Sequence, residues 1–395
     1  MTATHTSDST DAAAPVLYLA FELGWNSWKL AFTVGLGQKP RLRTIAARGL
    51  NALHAEIQAA KTRFGLPAEV PVHSCYEAGR DGFWLHRYLA SQGIANVVVD
   101  AASIEVNRRA RRAKSDALDA TKLVEMLIRY HNGQRKVWSV VRVPSPEDED
   151  RRQLHRDQMS LKDERTEHIN RIKGLLATLG LSITVDEHLP ARLEALRQWD
   201  GAPVPPGMTA RILREFARWQ QIDRQVRDLD NQRARAVRGD STTPREQVRQ
   251  LLTLKGIGWN GAWLLVHEVF AWRQVQNRRQ LAALVGLVPS PYQSGDSRRE
   301  QGISKAGNKR VRWMMIELAW GWLRYQPQSD LSQWYMRRFG QGNARARKIG
   351  IVALARKLLV AIWRYLDGGE VPAGAETVAL AEKLYGRVRA RYQAS

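Results

Sequence analysis

The residues best suited to chemistry lie in one short stretch, residues 107–119, which reads N-R-R-A-R-R-A-K-S-D-A-L-D. Two acids end it, Asp116 and Asp119, and their spacing of three places both carboxylates on one face of a helix. A cationic arm that leads into paired carboxylates suits the binding of a phosphate backbone beside a divalent metal ion. The alternative is a solvated helix whose charges only compensate one another. The five cations of the arm are Arg108, Arg109, Arg111, Arg112 and Lys114.

Two further acids follow predicted strands. An apolar run at residues 16–21 ends at Glu22, and another at residues 70–76 ends at Glu77. The apolar patterns around them predict the element order β-β-β-α-β-α-β-α, with three antiparallel strands first and the helix of Asp116 and Asp119 last. This is the order of ribonuclease-H-like nucleases, in which the first and fourth strands are neighbours. An α/β domain of that class is therefore predicted for residues 16–145.

In such a sheet the ends of the first and fourth strands meet the start of the last helix. We therefore expect Glu22, Glu77, Asp116 and Asp119 to form one site. Carboxylate oxygens are the ligands that Mg²⁺ or Mn²⁺ prefers, and a bound cation would clamp a phosphodiester. Because the chain has no G-x-x-x-x-G-K phosphate loop, no nucleotide cofactor is expected.

The composition predicts a polyanionic partner. The chain has 395 residues, with 61 Lys and Arg against 39 Asp and Glu, so its formal net charge is +22. A field of this sign favours nucleic acid over a membrane surface, and no apolar run approaches the length of a spanning helix. Residues 1–15 lack the apolar core of a signal peptide and are interpreted as a disordered tail. The single cysteine, Cys75, excludes a disulfide framework and fits the cytoplasm.

Two long amphipathic helices are predicted in the middle of the chain, over residues 147–179 and 209–237, with a connector at residues 201–207. Joined in this way they would form an antiparallel hairpin that packs as a coiled coil, alone or with a second subunit. The hairpin could serve as a dimerisation arm, which predicts a dimer or tetramer, or as an ordinary helical linker domain. It occupies the predicted segment 146–244.

The last part of the chain is predicted to be mainly α-helical. Two helical runs flank the glycine turn at residues 255–258, a pattern typical of a helix-hairpin-helix that contacts phosphate without reading sequence. We place this domain at residues 245–370, followed by a helical tail at 371–395. Four cations near the start of a later helix are candidate phosphate contacts: Lys305, Lys309, Arg310 and Arg312.

At this point the chain resembles the insertion-sequence transposases of the DEDD type. The resemblance rests on four motifs: C-Y-E-A-G-R-D-G-F-W at 75–84, R-A-K-S-D-A-L-D-A at 112–120, G-L-V-P-x-x-x-Q-S-G at 286–295 and I-S-K-A-G-N at 303–308. It implies a RuvC-like N-terminal domain joined through a coiled coil to a C-terminal domain that bears a serine. It also implies DNA recombination guided by a bridge RNA, in a prokaryotic cytoplasm at the nucleoid.

Carried over by position, the family's acids are Glu22, Glu77, Asp116 and Asp119, and its serine is Ser294. The first of these acids is usually an aspartate in the family, so Glu22 is a departure that carries the same ligating group on a longer arm. Asp100, after the fifth strand, is a candidate outer-shell substitute. A decayed, non-catalytic DNA-binding transposase is one alternative that this departure leaves open.

A serine nucleophile would conserve the phosphodiester bond energy in a covalent ester, which lets the enzyme rejoin strands without ATP. The competing interpretation of Ser294 is a plain turn residue, since Gln-Ser-Gly suits a turn. In that case the protein would be a metal-dependent nuclease or junction resolvase in which only the acids act. A covalent protein–DNA intermediate separates these two enzymes.

Overall fold

The computed structural model describes residues 14–104, 116–239, 242–294 and 297–384. The chain divides into two compact units, Met1–Val143 and Pro144–Ser395. Within the described ranges, no helix is both long enough and apolar enough to cross a membrane.

The first unit is built on a five-stranded sheet. Its strands are β1 (Leu17–Leu23), β2 (Ser27–Thr33), β3 (Arg41–Ala46), β4 (Val72–Glu77) and β5 (Ala95–Val99). Their order across the sheet is β3-β2-β1-β4-β5. The first three strands pair antiparallel, whereas β4 lies parallel to both β1 and β5. The predicted meander and the predicted pairing of the first and fourth strands are therefore confirmed.

Three helices cover the two faces of this sheet: α1 (Leu50–Arg63), α2 (Trp84–Ser91) and α3 (Asp116–His131). The predicted element order is confirmed. Large side chains of the sheet, including Phe21 and Trp28, pack under α1 and α2. The opposite face carries small residues, among them Ala20 and Cys75, and α3 packs on these. Small side chains let α3 approach the sheet closely. One contact of this kind is made by Cys75 Sγ, which donates to the carbonyl of Leu123 at 3.7 Å.

The second unit begins with two long helices, α4 (Pro146–Ala177) and α6 (Pro206–Arg238). Ser145 caps α4 by accepting a hydrogen bond from the amide of Asp148 at 3.1 Å, and Pro146 occupies the first helical turn. The predicted helix bounds are correct to within three residues. Between α4 and α6 the chain also forms a short helix, α5 (Leu189–Ala195), which the sequence analysis did not predict, and α6 begins within the predicted connector.

Polar pairs show that α4 and α6 are antiparallel. Gln158 donates to Asp230, Arg165 pairs with Asp223 at 2.9 Å, and His168 contacts Glu215 at 2.6 Å, so one residue number falls as the other rises. Towards α5 the packing becomes apolar. The buried residues of that end are Ile172, Leu176, Leu189, Leu193, Val204, Ile212, Phe216 and Trp219.

Six further helices complete the second unit: α7 (Thr243–Leu252), α8 (Trp259–Leu265), α9 (Arg278–Leu284), α10 (Lys309–Tyr325), α11 (Asp330–Tyr335) and α12 (Ala344–Gly368). Two π-helical turns lie among them, Val266–Phe270 and Met336–Gly340. The centre of the core is formed by apolar side chains of α10 and α12, such as Met315 and Leu358. A largely helical C-terminal part is therefore confirmed.

Helices α7 and α8 flank the predicted glycine turn, in which Gly256 has φ +90°. Two amides of this turn are already used within the protein. The amide of Lys255 donates to the carbonyl of Glu376 at 3.2 Å, and that of Ile257 donates to the carbonyl of Leu254 at 3.1 Å. A phosphate contact at this turn stays a prediction, and it would have to use the other amides.

Candidate active site

Glu22 and Glu77 lie on the same face of the sheet. Strands β1 and β4 pair with Phe21 opposite Tyr76, so the two glutamates follow at adjacent positions. Side chains alternate along a strand, and the residues two positions earlier, Ala20 and Cys75, pack under α3. Both glutamates therefore belong to the face that α3 covers. Glu22 lies within β1 rather than beyond its end, because β1 extends to Leu23.

Two contacts show how α3 is oriented on this face. The Nδ1 atoms of His73 and His131 lie 3.0 Å apart, and Cys75 Sγ contacts the carbonyl of Leu123. Residue numbers along α3 fall from 131 to 123 as those along β4 rise from 73 to 75, so the two elements run in opposite directions. The first turn of α3 therefore lies towards the end of β4. Asp119 lies one turn before Leu123, and helical spacing places both on one face.

The four predicted carboxylates thus come from three elements and lie at one end of the sheet. All of their possible donors are oxygens, which suit a hard cation, and Glu77 and Asp116 are exposed. Across the described ranges, the structure contains no group of three or more His, Cys, Asp or Glu side chains close enough to hold a metal ion. The donor chemistry fits the ion, whereas a closed set of ligands is not formed.

Two other predictions concern the surroundings of these acids. Asp100 directly follows Val99, which pairs with Glu77, and its outer-shell role stays a prediction. The cationic arm lies outside the described residues, with all five of its members: Arg108, Arg109, Arg111, Arg112 and Lys114.

Ser294 is the last residue of a β-strand. Strands β6 (Pro289–Ser294) and β7 (Ser297–Ile303) pair antiparallel, with Ser294 opposite Ser297. We call this ribbon the serine hairpin. The sequence analysis did not predict these strands within the helical C-terminal part, so the hairpin corrects it. Ser294 of the Gln-Ser-Gly motif is the last residue of β6, and β7 begins at Ser297.

The base of the serine hairpin is formed by the two motifs that flank it. The amide of Ser304 donates to Val288 at 2.9 Å, and the amide of Asn308 donates to Leu284 at 2.9 Å. Gly286 and Gly307 have φ of +68° and +79°, and a Cβ at either position would lie within 2.2 Å of a backbone oxygen. The two motifs therefore pack backbone against backbone, which only glycine permits.

The predicted phosphate-binding cations near this base differ in their surroundings. Lys305 and Lys309 are exposed, and Arg310 is half-buried. Arg312 stabilises the base of the serine hairpin, because its Nη1 donates to the carbonyls of Val285 at 3.0 Å and Ala306 at 3.1 Å. Its predicted contact with phosphate would compete with these two hydrogen bonds.

Sequence reasoning missed one buried acid, Glu268, beside the hairpin base. Arg156 of α4 donates to both carboxylate oxygens, at 2.9 and 3.2 Å, and Asn308 Nδ2 donates to Oε2 at 2.9 Å. Burial raises the pKa of Glu268, but hydrogen bonding and charge from Arg156, with Arg152 and Asn308, outweigh it and leave the pKa below its usual value.

Asn308 joins this ion pair to the serine hairpin. Its side chain also accepts hydrogen bonds from the amides of Arg310 and Val311, which caps α10. The signal for Glu268 in the sequence is a charged residue inside the apolar run W-L-L-V-H-E-V-F at 263–270. Such a residue must find a partner once it is buried.

Comparisons with known proteins fit this architecture. The profile of the family described as "Transposase IS116/IS110/IS902 family" matches residues 248–333, which include the serine hairpin and Glu268. A Sinorhizobium fredii protein named "Putative transposase y4rJ" is 41% identical over 373 residues, covering 91% of this chain and 94% of that protein.

More distant relatives carry the names of specific elements. The transposase for insertion sequence element IS1111A of Coxiella burnetii is 27% identical over 65% of this chain and 68% of its own length. The transposase for IS1328 of Yersinia enterocolitica is 26% identical over 55% of this chain and 63% of its own length. The chain belongs to the IS116/IS110/IS902 family of insertion-sequence transposases.

Proposed function

We propose that this transposase cuts and rejoins DNA with two sets of residues, the carboxylates Glu22, Glu77, Asp116 and Asp119 of the first unit and Ser294 of the second. The observation that supports the proposal is that Glu22 and Glu77 follow at adjacent positions on the face that α3 covers, while the first turn of α3, which carries Asp116 and Asp119, points towards the end of β4. Acidic residues at the ends of two paired strands, on the face that a helix covers, are what the ribonuclease-H-like, RuvC-like class of fold requires.

The four carboxylates would hold Mg²⁺, or Mn²⁺, and the bound cation would draw negative charge from the non-bridging oxygens of the scissile phosphate. Exposure of Glu77 and Asp116 leaves them accessible to the strand that is cut. The longer arm of Glu22 supplies the same ligating group as an aspartate. Its half-buried position in β1 restricts where that group can reach.

Ser294 acts as the nucleophile in the proposed reaction. The serine oxygen forms a bond to phosphorus while the bond between that phosphorus and one sugar oxygen breaks. The serine proton ends on the released sugar hydroxyl. The number of phosphate ester bonds is unchanged, so a second sugar hydroxyl can reverse the step and join a new strand without ATP. Lys305 and Lys309, exposed beside the hairpin base, neutralise phosphate charge.

The remaining parts of the proposal concern assembly. Helices α4 and α6 form a coiled coil that joins protomers into a dimer or tetramer, and a structured bridge RNA guides the protein to its DNA. The RNA partner is proposed from the family resemblance, and the net charge of +22 suits either nucleic acid without distinguishing RNA from DNA.

The test uses labelled substrate DNA incubated with wild type, Ser294→Ala and Asp119→Ala protein, then denatured. Wild type should leave DNA covalently linked to protein, and Ser294→Ala should leave none. Asp119→Ala should neither cleave nor form the adduct while keeping its fold. Glu22→Asp should keep activity, because the ligating group is unchanged.

A second candidate function is a metal-dependent nuclease or junction resolvase that uses only the acids. It is favoured by one observation, that all four carboxylates lie in the first unit and Ser294 in the second. If Ser294→Ala recombines DNA normally, the serine is a turn residue and this second function holds. If Asp119→Ala cleaves DNA normally in Mg²⁺, the four acids are not the catalytic site, and both proposed functions fail.

A further inference from the structure

A basic cleft lies in the second unit. Its cavity volume is about 880 Å³, and it is lined by residues of α9 and α12, with one residue of α11 and Val288, which precedes β6. Five of its lining residues are cations and none is an acid. The cations are Arg278, Arg279, Arg356, Lys357 and Arg364.

The cations form two rows that face one another across the cleft. Arg278 and Arg279 begin α9, and the other three lie on the side of α12 that lines the cleft, at spacings of one and seven residues. From Arg356 to Arg364 this row is about 12 Å long at the rise of an α-helix. One DNA strand carries a phosphate about every 3.4 Å along the duplex axis, so this length matches about three to four phosphates.

The floor between the two rows is made of small apolar side chains. Ala282 and Ala283 of α9 and Val360 and Ala361 of α12 line it. Such a floor has no group that requires water, and it fits the carbon faces of deoxyribose while the phosphates reach the cations on either side. A low-dielectric floor also strengthens each charge pair above it.

The positive charges of the cleft are not compensated within the part of the chain that the structure describes. None of the five cations forms an ion pair there, and only Lys357 has a ring contact, 4.7 Å above Trp334. Most other basic residues around α4 and α6, such as Arg165 and Arg218, do pair with acids. A cluster of like charges repels itself, and a polyanion relieves that repulsion.

We propose that the cleft between α9 and α12 binds the sugar–phosphate backbone of DNA. The inference rests on the DNA-recombining function only for the choice of polyanion. It involves neither the acids of the first unit nor Ser294, and it adds a holding site that keeps the strand in register while chemistry takes place elsewhere. An acidic protein segment is the competing occupant that the experiment must separate.

The experiment removes three exposed cations from the full-length protein as Arg278→Gln, Arg279→Gln and Arg364→Gln. The matched control removes three exposed cations of α6 as Arg211→Gln, Arg214→Gln and Arg224→Gln, with the same change in net charge. Affinity for a fluorescent DNA duplex is measured by anisotropy over a range of salt concentrations in EDTA. Cleavage and the covalent step are then absent, so the proposed chemistry can fail without affecting this result.

The cleft variant should bind DNA at least tenfold more weakly, and the slope of log K against log salt should fall by about 2 to 3. The control should change the slope by less than about 1. Equal effects from both variants would mean that only the overall charge matters and would overturn the proposal. Unchanged DNA binding by a folded cleft variant would also overturn it and would leave an acidic protein segment as the occupant.

An RNA duplex of the same sequence distinguishes the two nucleic acids. Loss of RNA binding with DNA binding retained would assign the cleft to RNA, contrary to the proposal. Circular dichroism and thermal unfolding of each variant confirm that the fold is kept before the affinities are compared.

Discussion

Gly307 holds the base of the serine hairpin because its position has no room for a side chain. Its φ is +79°, and a Cβ would lie 2.2 Å from the carbonyl oxygen of Leu284. We expect Gly307→Ala to lower the free energy of unfolding by about 3 kcal/mol or more, since overlap adds to the left-handed strain. Urea unfolding measures the loss.

Gly302 is the matched control, with φ +88° and open space around its Cα. Gly302→Ala should cost only the strain of the backbone, about 1 to 2 kcal/mol. Equal losses for the two variants would show that the close approach of the two motifs does not matter.

Glu268 is the residue whose charge connects α4 to the hairpin base. Its side chain is 1% exposed, against 32% for Arg156, so Glu268→Gln removes a charge that is shielded from water. We expect a loss of about 3 kcal/mol in urea unfolding, the cost of breaking a buried ion pair. Glu167→Gln is the control, because the pair of Glu167 with Arg171 is exposed and contributes little. A loss as small as the control's would mean that the Asn308 hydrogen bond alone holds the acid.

At this scale the strand pattern predicted the elements that carry Glu22 and Glu77, whereas no pattern predicted Glu268. Glu22 and Glu77 follow apolar strands, and a strand pattern fixes the face on which each residue lies. Glu268 has its partner 112 residues away in α4. Local periodicity cannot indicate a pair so far apart in sequence. The only sequence signal for Glu268 is that a charged residue lies among apolar neighbours.

Among the helices, the packing of α4 against the π-helical turn Val266–Phe270 contains two buried histidines that are neutral. Burial, with Arg233 nearby, lowers the pKa of His155 to about 4, and burial with Arg151 lowers that of His267 to about 4. Both rings have nitrogens without a hydrogen-bond partner among the described residues. Protonating either ring therefore places an uncompensated charge inside the protein.

The direction of the pH effect follows from these values. Between pH 6.5 and 4 the unfolded chain binds protons that the folded state does not, so stability is full above pH 6.5 and falls as the pH drops towards 4. Thermal unfolding should show this decline, and His155→Gln should reduce its slope. Each histidine contributes on the order of 1 to 3 kcal/mol. An identical slope in the variant would show that His155 does not titrate in this range.

The serine hairpin explains why some elements are predictable and others are not. Helices α4 and α6 repeat apolar residues over many turns, so their lengths were predicted closely. The hairpin contains two prolines in β6, two arginines in β7 and no apolar alternation. Its pairing depends on the packing of Gly286 and Gly307 beneath it, which is a tertiary contact.

At the scale of the whole chain, the net charge predicted the class of partner but not where that partner binds. The cleft cations come from α9 and α12, about 80 residues apart, and only folding brings the two rows together. The residues next to Arg279 or Arg364 in the sequence do not predict a groove. The same holds for the proposed acidic site, whose four members span residues 22–119.

The hairpin of α4 and α6 predicts self-association of the whole protein. Trp199, in the connector between α5 and α6, is 93% exposed. A tryptophan this exposed at the end of an arm is typical of a residue that packs against a partner, since burial of its ring would stabilise the contact. We expect sedimentation to show a dimer or a larger even assembly, and Trp199→Ala to shift it towards the monomer by at least tenfold in dissociation constant.

Trp25 provides the matched control for that experiment. It is 61% exposed in the first unit, but its ring already has partners, because the guanidinium groups of Arg48 and Arg80 lie 4.9 and 4.7 Å from it. Trp25→Ala should therefore leave the assembly unchanged. Because recombination joins two cut ends, a protein that holds both ends in separate protomers must associate before it rejoins them. A wild-type monomer with full recombination activity would contradict the prediction, and equal dissociation by both variants would remove Trp199 from the contact.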